Sequence, residues 1–205
     1  MKKSFIRETV ETVVFVVVAL IIIRFFLGEV RWIPSASMKP TLVEGDRVIV
    51  ENLSRFYSSP NRGDIMIFYP PEVVLKYDPI SLFRRLTGFF CNDTAFIKRV
   101  IGLPGDKVEI VQNEDGSGDV LINDKVLTEP YIKDRFDYTV CREGMYCGPL
   151  VLGEDEYFMM GDNRGNSTDS RYWGPLKKER FIGRAKLLFW PVFHFKYFEK
   201  KNYDS

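Results

Sequence analysis

Arg47-Val48-Ile49-Val50-Glu51 reads as a short strand, with β-branched residues in the middle, a charge at each end and Gly45-Asp46 as a turn signal before it. Working outward, the same pattern recurs. Asp64-Ile65-Met66-Ile67-Phe68-Tyr69 follows Arg62-Gly63, and Lys107-Val108-Glu109-Ile110-Val111 follows Pro104-Gly105-Asp106. Ala95 to Ile101, Val120-Leu121-Ile122, Tyr157 to Met160 and Ile182 to Phe189 are further candidates. Asn123-Asp124 suits a hairpin turn between Val120-Leu121-Ile122 and Lys125-Val126-Leu127. Runs this short, punctuated this often, predict an all-β chain of antiparallel sheets. Residues 72–92 break the pattern. Ile80, Phe83, Leu86 and Phe90 fall near helical spacing, which predicts a short helix lying on a membrane surface or over a sheet edge.

Toward the N-terminus the strand pattern gives way to a hydrophobic run. Val13 to Ile23 is apolar throughout, Arg24 interrupts it, and Phe25, Phe26 and Leu27 follow. As a helix, residues 9–27 span ~28 Å, close to the ~30 Å hydrocarbon core of a bilayer. Arg24 lies near one end, where its stem can reach the headgroups, and Trp32 suits the far interface. Lys2, Lys3 and Arg7 favour a cytoplasmic segment 1–8 ahead of a single transmembrane anchor at 9–27. A cleaved signal peptide and a buried core helix are the competing readings. Ser35-Ala36-Ser37 has the small-x-small form of a cleavage site, but it lies far beyond the apolar run.

The 205 residues carry 29 Lys and Arg against 28 Asp and Glu, a formal +1. The excess belongs to the N-terminus. Lys2, Lys3, Arg7 and Arg24 against Glu8 and Glu11 leave +2 in the first 27 residues and −1 in the remainder. That balance excludes a polybasic nucleic-acid binder, and 45% hydrophobic residues exclude a disordered chain. There is one histidine, so a Ser-His-Asp triad or a His-rich metal site has only His194 to build on.

Three segments carry more polar chemistry than turns need. They are Ile33-Pro34-Ser35-Ala36-Ser37-Met38-Lys39-Pro40-Thr41-Leu42, Phe96-Ile97-Lys98-Arg99-Val100-Ile101-Gly102-Leu103-Pro104-Gly105-Asp106, and Gly161-Asp162-Asn163-Arg164-Gly165-Asn166-Ser167-Thr168-Asp169-Ser170-Arg171-Tyr172-Trp173-Gly174. A serine hydroxyl needs a base before it is a useful nucleophile. With almost no histidine, the bases available are Lys, Asp and Glu. A lysine serves when burial lowers its pKa, and Lys98 lies among Phe96, Ile97, Val100 and Ile101 on a candidate strand. Arg99 then points to the opposite face. The competing reading of Lys98 is an ordinary exposed strand lysine. The third segment lacks the alternating oxygen ligands of an EF-hand and reads as a hydrogen-bond network, with Asp169 and Arg171 as ion-pair partners on one side of a strand.

Together, and in this order, the three segments resemble type I signal peptidases, the membrane-bound Ser/Lys endopeptidases of bacteria. The resemblance runs from the anchor to Gly183-Arg184-Ala185-Lys186. It implies Ser37 as nucleophile and Lys98 as general base, with an oxyanion hole made by the Ser37 backbone N–H and the Ser35 hydroxyl. It implies that Ser167 orients the lysine, that Asp169 and Arg171 form a supporting ion pair, and that Asp162 and Arg164 lie in the same network. Ile33, Leu42 and Ile97 match positions lining shallow pockets for small side chains. The substrate implied is an exported preprotein, cut after a small-x-small segment at the outer face of the cytoplasmic membrane, with lipid as the other partner and no cofactor or metal. Residues 28–106 and 154–205 then form the catalytic core, and 107–153 an inserted β subdomain. Gly165 departs from the acidic residue common at its position, and Arg31 and Trp32 make a bulkier, charged approach to Ile33.

Cys141 and Cys147 flank a five-residue loop containing Gly144, close enough to bridge, and Cys91 is left over. A disulfide suits an exported domain, and zinc lacks evident third and fourth ligands. The spacing also resembles a disulfide in some relatives. Two other classes stay in play: a repressor-type Ser/Lys autoprotease, which needs an N-terminal DNA-binding domain in place of the apolar run, and a non-catalytic β-domain that anchors secreted proteins, which has no need of Ser37 and Lys98.

Overall fold

The computed structural model describes residues 2–81, 94–132, 136–138, 141 and 144–199. The N-terminal run is a helix, α1 (Lys2–Leu27). Its side chains are described over residues 5–20, which include Arg7, Glu8 and Glu11 and span only ~24 Å. Among the described residues no helix is long and apolar enough to cross a membrane. The expected anchor is therefore present as a helix, while the crossing itself is not something the fold displays. Gly28, at φ +97°, turns the chain out of α1, and a Cβ there would overlap the Val50 carbonyl oxygen.

Beyond Gly28 the chain is β, as its short alternating runs predict. Thirteen strands are described: β1 (Glu29–Trp32), β2 (Arg47–Glu51), β3 (Ile65–Phe68), β4 (Phe96–Gly102), β5 (Lys107–Gln112), β6 (Ser117–Ile122), β7 (Lys125–Val126), β8 (Phe136–Asp137), β9 (Leu150–Val151), β10 (Glu156–Met160), β11 (Leu176–Lys177), β12 (Phe181–Trp190) and β13 (Lys196–Tyr197). Two short helices are added, α2 (Ser54–Tyr57) and α3 (Ser170–Trp173). One sheet has the order β1-β2-β12-β3-β4-β10-β11, with β13 also on β12. The other has the order β7-β6-β5-β9, with β8 also on β6, and draws only on residues 107–151. All the pairings are antiparallel.

Strand β12 ties the first sheet together. It pairs with β3 through Phe181–Arg184 and with β2 through Arg184–Trp190, and its register slips at three places. Such bulges bend and twist a strand, which lets one strand serve two neighbours along its length. The turn Asn123-Asp124 joins β6 to β7 with both residues at positive φ, as a tight hairpin requires. The expected helix within 72–92 begins at residues 79–81, where Asp78 accepts the Ser81 backbone N–H at 2.9 Å. The rest of it, with Phe83, Leu86, Phe90 and Cys91, lies outside the described residues.

Strand β4 contributes to all three apolar clusters. Ile97 packs with Ile33, Leu42, Val48 and Ile65, Val100 with Met66, Phe68 and Tyr157, and Ile101 with Phe158 of β10 and with Val108 and Ile122 of the second sheet. A strand covered on both faces buries whatever it carries, polar residues included. Lys98 and Arg99 are 4% and 5% exposed for this reason.

Candidate active site

Ser37 lies in a single 3-10 turn, Ala36–Met38, between β1 and β2. Met38 and Leu42 have no exposed surface and pin this turn to the first cluster. The turn is held from the other side by Asn163, whose backbone N–H donates to the Ser37 carbonyl at 3.0 Å and whose Nδ2 donates to the Ala36 carbonyl at 3.1 Å. Across from it, the register Met66↔Lys98 sets Lys98 in the middle of the sheet. Lys98 Nζ donates to Ser37 Oγ at 2.6 Å. Burial lowers the Lys98 pKa from 10.5 to about 8, against the opposing pull of the Asp169 and Asp162 carboxylates. The exposed-lysine reading does not hold. Ser35 Oγ lies 3.2 Å from Ser37 Oγ.

The 161–171 loop surrounds this pair with ion pairs. Asp169 and Arg171 are fully buried, with Arg171 Nε and Nη2 donating to the two Asp169 oxygens at 2.8 and 2.9 Å. They sit at the start of α3, not on a strand: Asp169 is the N-cap and its carboxylate also accepts the Arg171 backbone N–H. The Gly161 backbone N–H donates to Asp169 Oδ2 at 3.0 Å, and Arg171 Nη2 also donates to the Arg164 carbonyl at 2.8 Å. Asp162 and Arg164 belong to the same region but pair outward. Asp162 receives Arg99 Nε at 2.8 Å and Nη2 at 2.5 Å. Arg164 donates Nη1 to Glu129 Oε2 at 2.8 Å and Nη2 to Glu129 Oε1.

Ser167 departs from its expected part. Its hydroxyl is buried and makes no hydrogen bond among the described residues, to Lys98 or otherwise. It is lodged against Gly161, where an added Cβ would overlap both the Ser167 hydroxyl and the Ser37 carbonyl oxygen. Only glycine lets the loop, Ser167 and the Ser37 backbone approach this closely.

Ile33, Leu42 and Ile97 are 2%, 0% and 7% exposed and pack in one cluster, so they form a floor beneath the site and not an open pocket. A cavity of about 280 Å³ lies elsewhere, between Arg99, Asp64, Tyr131 and residues 196–199, and neither Ser37 nor Lys98 lines it. Cys141 and Cys147 are joined by a disulfide, with Cα atoms 5.9 Å apart, and Cys147 packs in the second-sheet cluster. His194 Nδ1 lies 3.3 Å from Asp46 Oδ1, so the sole histidine is engaged away from the serine–lysine pair. Arg31 is paired with Glu29 at 2.6 Å, and Gly165 stands where an added Cβ meets nothing.

A family model described as signal peptidase, peptidase S26, matches residues 6–190. The chain belongs to the signal peptidase S26 family. It is 42% identical to a signal peptidase I of Leptolyngbya laminosa, over 91% of this chain and 81% of that one. A probable signal peptidase I-2 of Synechocystis is 40% identical over 90% and 73%, and signal peptidase I S of Bacillus subtilis is 33% identical over 93% and 92%. The crystal structure of a signal peptidase I from Enterococcus faecalis matches with 27% identity and a TM-score of 0.39, over 62% of this chain and 97% of that one. As a signal peptidase of this family, the chain is a serine endopeptidase that hydrolyses peptide bonds.

Several residues of this candidate site have no signal in the sequence. Arg99 is legible only as a cation beside Lys98, and its partner Asp162 is 63 residues away. Asn163 sits unmarked in a polar run. Glu129 and Tyr131 lie in the 107–153 segment with no motif around them. The one usable hint is electrostatic: a buried Arg164 needs a carboxylate, and no free one lies next to it in sequence.

Proposed function

We propose that Ser37 and Lys98 are the catalytic dyad of a membrane-anchored endopeptidase that removes signal peptides from exported preproteins. The observation that carries this is the 2.6 Å contact between two buried side chains, one a hydroxyl and the other a lysine with its pKa lowered to about 8. In the resting pair Lys98 Nζ donates to Ser37 Oγ. In the reactive form Lys98 is neutral, and the direction reverses. Nζ takes the Oγ proton as Oγ attacks the scissile carbonyl. The oxyanion is met by the Ser37 backbone N–H and the Ser35 hydroxyl, donors worth ~3–4 kcal/mol each in comparable sites. The Lys98 ammonium then protonates the leaving amine, and a water deprotonated by Lys98 hydrolyses the acyl-enzyme.

Membrane attachment is part of the same proposal. In α1, Val10, Val13, Val14, Phe15 and Leu20 are at least half exposed, a surface that suits lipid rather than water. Trp32 and Trp190 share one rung of the sheet on either side of Arg47, and Phe193 and Phe195 lie just beyond. All four aromatics are exposed, and aromatic rings of this kind favour the headgroup level. With Lys2, Lys3 and Arg7 inside, the site faces the outer side of the cytoplasmic membrane. The floor of Ile33, Leu42 and Ile97 suits small substrate side chains and leaves little depth for bulky ones. The test is incubation of the protein in detergent and lipid with preprotein variants, reading the new N-terminus by mass spectrometry. Cleavage is expected only after Ala-x-Ala-like segments. Equal cleavage after Phe at either outer position overturns the specificity, and activity in Ser37→Ala overturns the dyad.

A further inference from the structure

We propose that Glu129 and Tyr131, contributed by the segment that carries the second sheet, are positioning residues of the active site: they clasp the 161–171 loop and thereby hold the backbone of Ser37. This rests on the reading of Ser37 as nucleophile.

The contacts run in sequence from one segment to the other. Glu129 follows Leu127, which is buried in the second-sheet cluster and donates its backbone N–H to Val120 at 2.8 Å, so its anchor is β6. The Glu129 carboxylate receives both terminal nitrogens of Arg164, a two-pronged pair with side chains 2% and 11% exposed. The Tyr131 hydroxyl donates to Glu129 Oε1 at 2.6 Å, and the Tyr131 ring stacks 3.8 Å from the Arg99 guanidinium. Burial and the Glu129 charge push the Tyr131 phenol well above its ordinary range, so it stays a donor. Arg164, fixed at its tip, donates Nε to the Gly161 carbonyl at 3.1 Å. Gly161 packs directly on the Ser37 carbonyl, and Asn163, two residues on, hydrogen-bonds that carbonyl. The second arm passes through Arg99 to Asp162. Both arms end on the loop that borders Lys98 and Ser37.

A buried ion pair is a poor device for stability alone, because an apolar pair of similar volume often serves as well. It is a good device for geometry, because two parallel hydrogen bonds fix distance and angle together. Misplacing a reacting group by about 1 Å costs on the order of 100-fold in rate. Glu129 and Tyr131 touch no reacting atom, so their effect is on where Ser37 lies.

The test uses the full chain in detergent with a preprotein substrate, measuring kcat, KM and thermal unfolding. Glu129→Ala is expected to lower kcat roughly tenfold or more while KM stays within about twofold, the pattern of a lost transition-state interaction. Glu129→Gln, which keeps hydrogen bonds to Arg164, is expected to recover part of that loss, and Tyr131→Phe to lose only a few-fold. The double variant Glu129→Leu with Arg164→Met keeps the site packed, so it separates position from stability. It is expected to unfold near the parent temperature and still show the low kcat. A folded Glu129→Ala with parental kcat overturns the proposal, as does a double variant that regains parental kcat. Ser37→Ala is assayed alongside. If it is active, the dyad reading fails. If it is dead while Glu129→Ala is unimpaired, only the clasp fails.

Discussion

The two faces of β4 around Lys98 and Arg99 make a controlled comparison within one strand. The residues are consecutive, both cationic and almost equally buried. On one face Lys98 meets a hydroxyl at 2.6 Å and, among the described residues, hydrogen-bonds no carboxylate. On the other face Arg99 is forked onto Asp162, donates to the Gly63 carbonyl at 2.8 Å and lies under the Tyr131 ring. Burial destabilises the lysine's charge, while the arginine's charge is compensated on every side. The strand's alternation thus separates the proposed base from a structural cation at a spacing of a single residue. Arginine suits the second task because it never gives up its proton, and lysine suits the first because it does.

The largest expected effect comes from moving the wrong cation to the reactive face. Lys98→Arg and Ser37→Ala should each reduce preprotein cleavage by ~10⁴-fold or more, with unfolding still cooperative. Turnover by Lys98→Arg above that level would mean another group takes the serine proton.

On the structural face the loss should appear in stability. Arg99→Met leaves Asp162 buried without its partner and should destabilise the protein by about 3–5 kcal/mol in denaturant unfolding. A change under about 1 kcal/mol would show that this pair contributes no more than a surface bridge.

Lys98→Met should have the opposite sign. The folded-state pKa of about 8 lies below the 10.5 of the unfolded chain, so the protonated folded state bears a penalty on the order of 3 kcal/mol. That penalty is fully present below pH 8 and disappears as pH rises to about 10.5. An inactive Lys98→Met should therefore be more stable than the parent at neutral pH, with the gap closing between about pH 8 and 10.5. A Lys98→Met protein less stable than the parent at pH 7 counts against desolvation as the cause of the shift.

The smallest effect, and the sharpest on mechanism, is the pH dependence of kcat/KM. A base must be neutral to accept a proton, so the rate should rise about tenfold per pH unit below pH 8 and level off above it. A flat profile from pH 6 to 9 removes Lys98 as the base.

The strands were legible because each is a short β-branched run with its own turn residues. Arg47–Glu51 and Lys107–Gln112 are found within a residue of their expected bounds. Ser37 and Lys98 were legible through the resemblance of their segments to type I signal peptidases; residue chemistry alone left Lys98 open to the reading of an exposed strand lysine. The partners of the supporting charges were not legible. The resemblance places Asp162 and Arg164 in the network of Asp169 and Arg171 without naming partners; Asp162 pairs with Arg99, and Arg164 with Glu129. The resemblance implies that Ser167 orients Lys98, yet its hydroxyl lies against Gly161 and has no hydrogen-bond partner among the described residues. Side chains close in sequence share a loop, but which way each points depends on what the rest of the chain brings near.

Residue pattern alone determined the all-β class and the N-terminal helix, because periodicity is a local property, while the resemblance to signal peptidases pointed to Ser37 and Lys98. Only the tertiary structure decided that Lys98 is buried, that Asp162 faces Arg99 and that Glu129 reaches Arg164. Burial and ion pairing depend on contacts between residues far apart in sequence, 63 positions for Arg99 and Asp162, and no local pattern encodes the desolvation those contacts produce.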